Sequence, residues 1–171
     1  MDAAEALERS SVVWHGWFIL RQNEIPIELH FVSGNSNFPI QCLSFEGPSA
    51  NRVLEVQPLH KVKEFDFVHL NKRLQNLHEH CVLVGIPDES YTTYPMNKYL
   101  KAQQLHTYFV FFLKSKKSFG AIQLKRKEGS FTLYIFPNCE YSNMVLYRRV
   151  PEKMASLEDA AYLLFVIVKD K

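Results

Sequence analysis

Partial alternation of apolar and polar positions opens this chain. From His15 to Arg21 and again from Ile25 to Val32, β-branched and aromatic residues recur on both sides of the polar Gln22-Asn23-Glu24. Two half-buried strands joined by a tight connection have this pattern. Gly34 to Pro39 then reads as a polar turn, Ile40 to Leu43 as a short strand, Gly47 to Ala50 as a loop, and Arg52 to Lys63 as a further extended stretch. At Asp66 the period changes. Its short carboxylate suits a helix N-cap, and Phe67, Leu70, Leu74 and Leu77 follow at near-helical spacing, which predicts a helix from about Phe67 to Asn76. Cys81 to Ile86 is almost uniformly apolar and stops at Pro87-Asp88, the form of a buried strand closed by a turn.

Leu105, Tyr108, Phe109, Phe112 and Leu113 fit the i, i+3, i+4, i+7, i+8 stripe of a buried helix face, although Tyr108 to Leu113 alone would also suit a strand. The polar flanks keep the helical phase, so a helix is expected from about Met96 to Lys117. Phe119 to Leu124 and Phe131 to Phe136 flank Lys125-Arg126-Lys127-Glu128-Gly129 as a second hairpin, with Gly129 in the turn. Ser142 to Arg149 reads as a helix and Ala160 to Val168 as a last buried strand. Many strands interleaved with few helices, without regular βαβ alternation, indicate an α+β domain on a mostly antiparallel sheet or barrel.

The 171 residues suit one domain, with 47% hydrophobic and 22% charged residues, and no apolar run approaches the ~20 needed to span a membrane. Residues 1–13 are expected to be a flexible or helical lead-in without the pattern of a secretory signal. Cys42, Cys81 and Cys139 are odd in number and far apart, which fits reduced thiols and an intracellular setting. A formal charge of +2 gives no wholesale attraction to nucleic acid, so any basic function must come from local clustering.

Candidate chemistry is sparse. His78, His80 and Cys81 have no second Cys/His pair at a zinc-ligand spacing, and the two histidines are expected at the surface beside a strand. No serine sits in a Gly-x-Ser-x-Gly elbow, no cysteine has a catalytic setting, and Gly34 lacks the partners of a phosphate-cradling loop. We therefore expect no enzyme, no metal and no cofactor. Trp14 and Trp17 are expected to pack, with Gly16 marking a close backbone approach. Lys114 and Lys117 read most simply as a solvated helix end complementing the dipole, and Lys125 to Lys127 as a hairpin tip.

Three stretches carry a resemblance: Trp14-His15-Gly16-Trp17, the strand and turn Glu28-Leu29-His30-Phe31-Val32-Ser33-Gly34-Asn35, and Ile135-Phe136-Pro137-Asn138-Cys139-Glu140-Tyr141. Together they resemble the SPOC domain, the C-terminal module of the split ends family of transcriptional regulators. The resemblance implies a distorted β-barrel surrounded by helices, over residues 14–171, as one module of a longer protein. It further implies a monomeric, nuclear interaction module whose basic patch receives acidic, phosphoserine-bearing corepressor peptides. Counted without gaps from Trp14, the family's first-strand lysine falls on Arg21. Counted back from Gly120, its helix lysine falls on Lys116. Its two middle-strand arginines fall near Lys61 and Lys63, which alternate along the expected strand and so should share one face, and its tyrosine one turn before the helix lysine is replaced by Phe112. The alternative partner for the same surface is nucleic acid, since family members carry RNA-binding domains elsewhere in their chains; a third is phosphorylation-independent protein association.

Overall fold

The computed structural model describes Leu7 and residues 11–43, 52–88 and 97–171, with the side chains of 97–99 excepted. The expected loop at Gly47 to Ala50, the first residues of the lead-in and the start of the long helix at Met96 lie outside these. The first hairpin is present as β1 (Val12–Leu20) and β2 (Asn23–Gly34), antiparallel, with Leu20 facing Asn23 across the two-residue turn Arg21-Gln22. Gly16 is where β1 meets its other neighbour, because a side chain there would collide with the Trp14 ring and the Arg52 carbonyl. Trp14 is buried as expected, and Trp17 half-buried.

After β2 the chain departs from expectation. Ile40 to Leu43 is not a strand but the end of a helix, α1 (Asn37–Leu43). The Asn35 side-chain carbonyl accepts from the Asn37 N–H at 3.0 Å and its backbone carbonyl from the Phe38 N–H at 3.1 Å, which nucleates the first turn. Phe38 and Cys42, four apart, then face the core while Ile40 is left 67% exposed. Arg52 to Lys63 is likewise not one extended stretch. It divides into β3 (Val53–Val56), β4 (Leu59–Lys61) and a 3₁₀ turn (Val62–Glu64).

That division closes the sheet. The strand order is β3-β1-β2-β5-β8-β7-β6-β4, where β5 is His80–Pro87, β6 Ser118–Arg126, β7 Gly129–Pro137 and β8 Leu163–Lys169. β3 runs parallel to β1 at one end and β4 antiparallel to β6 at the other. Only Gln57-Pro58 separates them in sequence, so the two ends are drawn together into a nearly closed barrel. The inner core includes Phe18, Phe109 and Phe165, whose rings lie 5.6 and 5.8 Å from Phe18. A second apolar layer covers the outer face of β5, β7 and β8 under α2 (Phe67–Leu74) and the later helices.

The Asp66 carboxylate caps α2 as expected, accepting from the His69 N–H at 3.1 Å. Leu70 and Leu74 are buried, and Leu77, beyond the helix, is exposed. The long helix comprises α3 (Asn97–Leu105), a π-helical turn (His106–Val110) and α4 (Phe111–Ser115). Leu105, Phe109 and Leu113 form its buried stripe, whereas Tyr108 points out, about half exposed. The helix α5 (Glu140–Tyr147) follows β7, and the short α6 (Met154–Leu157) precedes β8.

Candidate functional site

Two remote segments, the first hairpin turn and the end of the long helix, meet at one aromatic ring, and a third reaches the helix end beside it. Phe112, half-buried against the inner core, has the Arg21 guanidinium 5.1 Å and the Lys116 ammonium 6.0 Å from its centroid, both within cation–π range. The Lys61 ammonium donates to the Lys116 carbonyl at 3.2 Å. The β4–β6 pairing, which places Lys61 opposite Ser118, brings this strand end to the helix end. Lys63 does not share a strand face with Lys61, because the strand stops at Lys61. It sits in the 3₁₀ turn, which the Val62 N–H pins to the Lys117 carbonyl at 2.9 Å. Arg21, Lys61, Lys63 and Lys116 are all exposed, so their charges face solvent.

Backbone conformation singles out the same place. Among the described residues, two other than glycine have left-handed backbone: Arg21, with φ 58°, and Lys117, with φ 49°. Such a conformation costs an L-residue roughly 1–2 kcal/mol, and glycine ordinarily fills it. Lys117 lies one residue past the helix cap, where glycine is the usual choice, and its N–H bonds to the Lys114 carbonyl at 3.1 Å. Both strained positions carry cations: Arg21 lies against Phe112, and Lys117 directly follows Lys116 at the helix end.

Beside the stack opens a groove of about 590 Å³. Phe67, Leu113, Phe136, Pro137, Cys139 and Tyr141 form its apolar walls, and Lys61, Lys63, Lys114, Lys116 and Lys117 its rim. Tyr141 lies 4.6 Å from Phe67 and 5.2 Å from Phe136, ring to ring, and its hydroxyl donates to Asn71 at 2.9 Å. Burial pushes the Tyr141 phenol up to about 12, so it stays neutral. Glu140 is the one acid in the lining.

Of the two histidines expected at the surface, His78 is exposed and His80 is not. His80 is not a surface residue but fully buried, its Nδ1–H shared by the carbonyls of Asn76 at 2.7 Å and Arg73 at 3.1 Å. Burial lowers its pKa below 6.5. A different group has metal-ligand chemistry: ligand atoms of His15, Glu28 and Asp88 lie within 4.8 Å of one another. There His15 Nδ1 and Asp88 Oδ2 share a hydrogen bond of 2.8 Å, and His30 Nε2 lies 3.5 Å from Glu28. These contacts tie β1, β2 and the end of β5 together as a polar network.

No family model matches the chain. It is 25% identical over 167 residues to the Protein split ends of Drosophila melanogaster, covering 94% of this chain and 3% of that protein. It is 25% identical over 175 residues to human Msx2-interacting protein, covering 98% of the chain and 4% of that protein. Human RNA-binding protein 15 is 23% identical over 180 residues, covering 97% and 18%. The chain thus spans only a small part of each. The crystal structure of the SPOC domain of human PHD-finger protein 3 superposes with a TM-score of 0.53 at 14% identity, covering 94% of this chain and 97% of that one. The chain has the fold of a SPOC domain.

Within this fold, counting from the two hairpin motifs reached Arg21 and Lys116, which the structure brings together on Phe112. Phe112, reached from the same count, lies between them. Residue counting did not find Lys117 or the groove. Lys117 carried one legible signal, a lysine where a helix end before a strand would ordinarily have glycine. The wall residues Pro137, Cys139 and Tyr141 were visible only as a packing motif, because their groove needs Phe67 from α2 and Leu113 from α4.

Proposed function

We propose that this chain is a SPOC-type, non-enzymatic protein-interaction module of nuclear transcription regulation, which binds a short acidic, phosphoserine-bearing peptide of a corepressor or similar nuclear partner. The observation that carries this reading is the convergence of Arg21, from a hairpin turn, and Lys116, from a helix end, on the Phe112 ring, with Lys61 of a strand end bonded to the Lys116 carbonyl beside them. A phosphate brings nearly two negative charges and three acceptor oxygens, and a cluster of flexible cations answers it by charge-assisted hydrogen bonds. Arg21 can grip two oxygens in a planar fork, whereas Lys61, Lys63 and Lys116 act as point charges, so recognition follows charge more than exact geometry. Likeness to regulators such as the split ends protein supports a module in transcription. A formal charge of +2 over 171 residues gives a nucleic acid little overall attraction, which favours a peptide.

The test is fluorescence-polarisation binding of one acidic peptide in phosphorylated and unphosphorylated forms. The phosphorylated form should bind tighter, and Arg21→Glu or Lys116→Glu should each abolish the difference while leaving the thermal midpoint in place. Equal binding of both forms, or affinity that ignores both variants, would refute the assigned patch; tight RNA binding lost in the same variants would install nucleic acid as the partner.

A further inference from the structure

We propose that the outer face of the first hairpin binds a divalent zinc ion, held by His15, Glu28 and Asp88 with His30 completing the site. Strand alternation puts these side chains together. Ile27 and Leu29 of β2 point into the inner core, so Glu28 and His30 point the other way. His15 of β1 stands directly opposite Glu28. The Asp88 N–H donates to the Pro26 carbonyl at 2.9 Å, which carries the end of β5 along the same strand. The ligand atoms of His15, Glu28 and Asp88 thereby lie within 4.8 Å of one another. Atoms bound at roughly 2.0–2.2 Å from one zinc stand about 3–4 Å apart, so a small closing of the side chains brings them to an ion.

A second observation points to a ligand. The His30 ring is 1% exposed, and its Nε2, 3.5 Å from Glu28 Oε1, finds no hydrogen-bond partner among the described residues. A buried nitrogen left so is costly. The other ring nitrogen, Nδ1, lies 2.7 Å from the Ser11 hydroxyl. With Nδ1–H donating to that oxygen, the Nε2 lone pair faces a carboxylate oxygen, and a cation between them turns their repulsion into two bonds. An outer hydrogen bond of this kind is what ordinarily orients a metal-bound histidine.

Charge and donor type select the ion. Glu28 and Asp88 are both buried, and carboxylates taken out of water together need positive charge beside them. Lys101 is near enough to feel the Asp88 charge, although burial lowers its pKa. A divalent ion adds what one ammonium leaves short. Two imidazole nitrogens and two carboxylate oxygens suit tetrahedral zinc, whereas calcium and magnesium take oxygen shells. The His15 side chain, 37% exposed, gives the ion its way in. On entry the 2.8 Å hydrogen bond between His15 Nδ1 and Asp88 is replaced by coordination, and the imidazole keeps its proton on Nε2. Four protein ligands close the shell, so the ion is a staple between strands rather than a catalyst. Its ligands come from three strands, so no Cys/His spacing along the sequence announces them.

Titration calorimetry of zinc into the chain dialysed against a chelator, with thermal unfolding at matched zinc, tests the proposal. One ion should bind per chain, and zinc a hundredfold above Kd should raise the midpoint by roughly 5–10 °C. His15→Ala should weaken binding at least tenfold and remove the zinc-dependent rise, whatever it does to the metal-free midpoint. His78→Ala, at an exposed histidine elsewhere, should change neither. Long-range nitrogen–proton correlation spectra of the histidine rings should show the His30 proton on Nδ1 and a shift of Nε2 when zinc is added, which a packing role alone would not produce. Zinc binding that survives His15→Ala, that is lost in His78→Ala, or that leaves the His30 ring unshifted overturns the site. So does no binding, in which case the four side chains are a polar joint only.

Discussion

At the scale of single residues, the candidate site is where this chain spends stability on charge. Lys117 holds a left-handed backbone at a helix end, where glycine would relax the strain. Lys117→Gly should therefore raise stability by about 0.5–1 kcal/mol, the relief being partly offset by glycine's greater freedom when unfolded. Urea unfolding checks the rise, and phosphopeptide affinity should fall severalfold in the same variant. A loss of stability would mean that the Lys117 side chain holds the rim together through its own contacts. The second residue-level prediction concerns Phe112. The ring already lies against Arg21 and Lys116, so Phe112→Tyr adds only a hydroxyl at the place where a phosphate would be held. One net hydrogen bond of about 1 kcal/mol should tighten phosphopeptide binding roughly fivefold, with no gain for the unphosphorylated form.

At the scale of elements, how much could be read from sequence depended on whether the deciding interaction was local. The first hairpin and α2 were legible because their signals are contained within them: alternation across a short polar turn, and a capping Asp66 ahead of an apolar stripe. α1 was not, since Ile40-Gln41-Cys42-Leu43 suits either period and the outcome rests on Asn35 and on burial of Phe38 and Cys42. Nor was the break between β3 and β4, whose partners lie far away on β1 and β6. The site divides the same way. Arg21 and Lys116 follow from counts within a hairpin and a helix, whereas the groove exists only when α2, α4 and the end of β7 meet.

His80 joins two of these elements, and its titration measures the joint. From β5 it donates Nδ1–H to carbonyls at the end of α2, in a site whose burial lowers its pKa. The unfolded imidazole takes up a proton near its ordinary 6.5 while the folded one resists, so below that pH the unfolded chain binds more protons. His80's contribution is thus intact above about pH 6.5 and is lost progressively as pH falls through and beneath it. His80→Gln should be less stable than the parent near pH 7.5, and the gap in urea midpoints should narrow towards pH 5.5. A gap independent of pH would remove His80 as the titrating joint.

For the whole molecule, the decisive contact is the seam where the sheet's two ends meet. β3 lies at one end and β6 next to the other, yet Gly120 on β6 faces Val56 on β3 so closely that a Cβ at Gly120 would stand 2.7 Å from Val56 Cγ1. A β-branched side chain has little rotamer freedom with which to yield. Gly120→Ala should cost about 1–3 kcal/mol by overpacking, and Val56→Ala should cost a separate amount for its lost burial. If the seam is as tight as described, the double variant is more stable than the sum of the two losses, with a coupling of roughly 0.5–3 kcal/mol in a denaturation cycle. Strict additivity would mean that the barrel is open there. The distinction bears on function, because β4 leaves β3 through Gln57-Pro58 and delivers Lys61 to Lys116. A loosened seam should therefore weaken phosphopeptide binding in Gly120→Ala and restore it in the double variant, although none of the exchanged side chains carries charge.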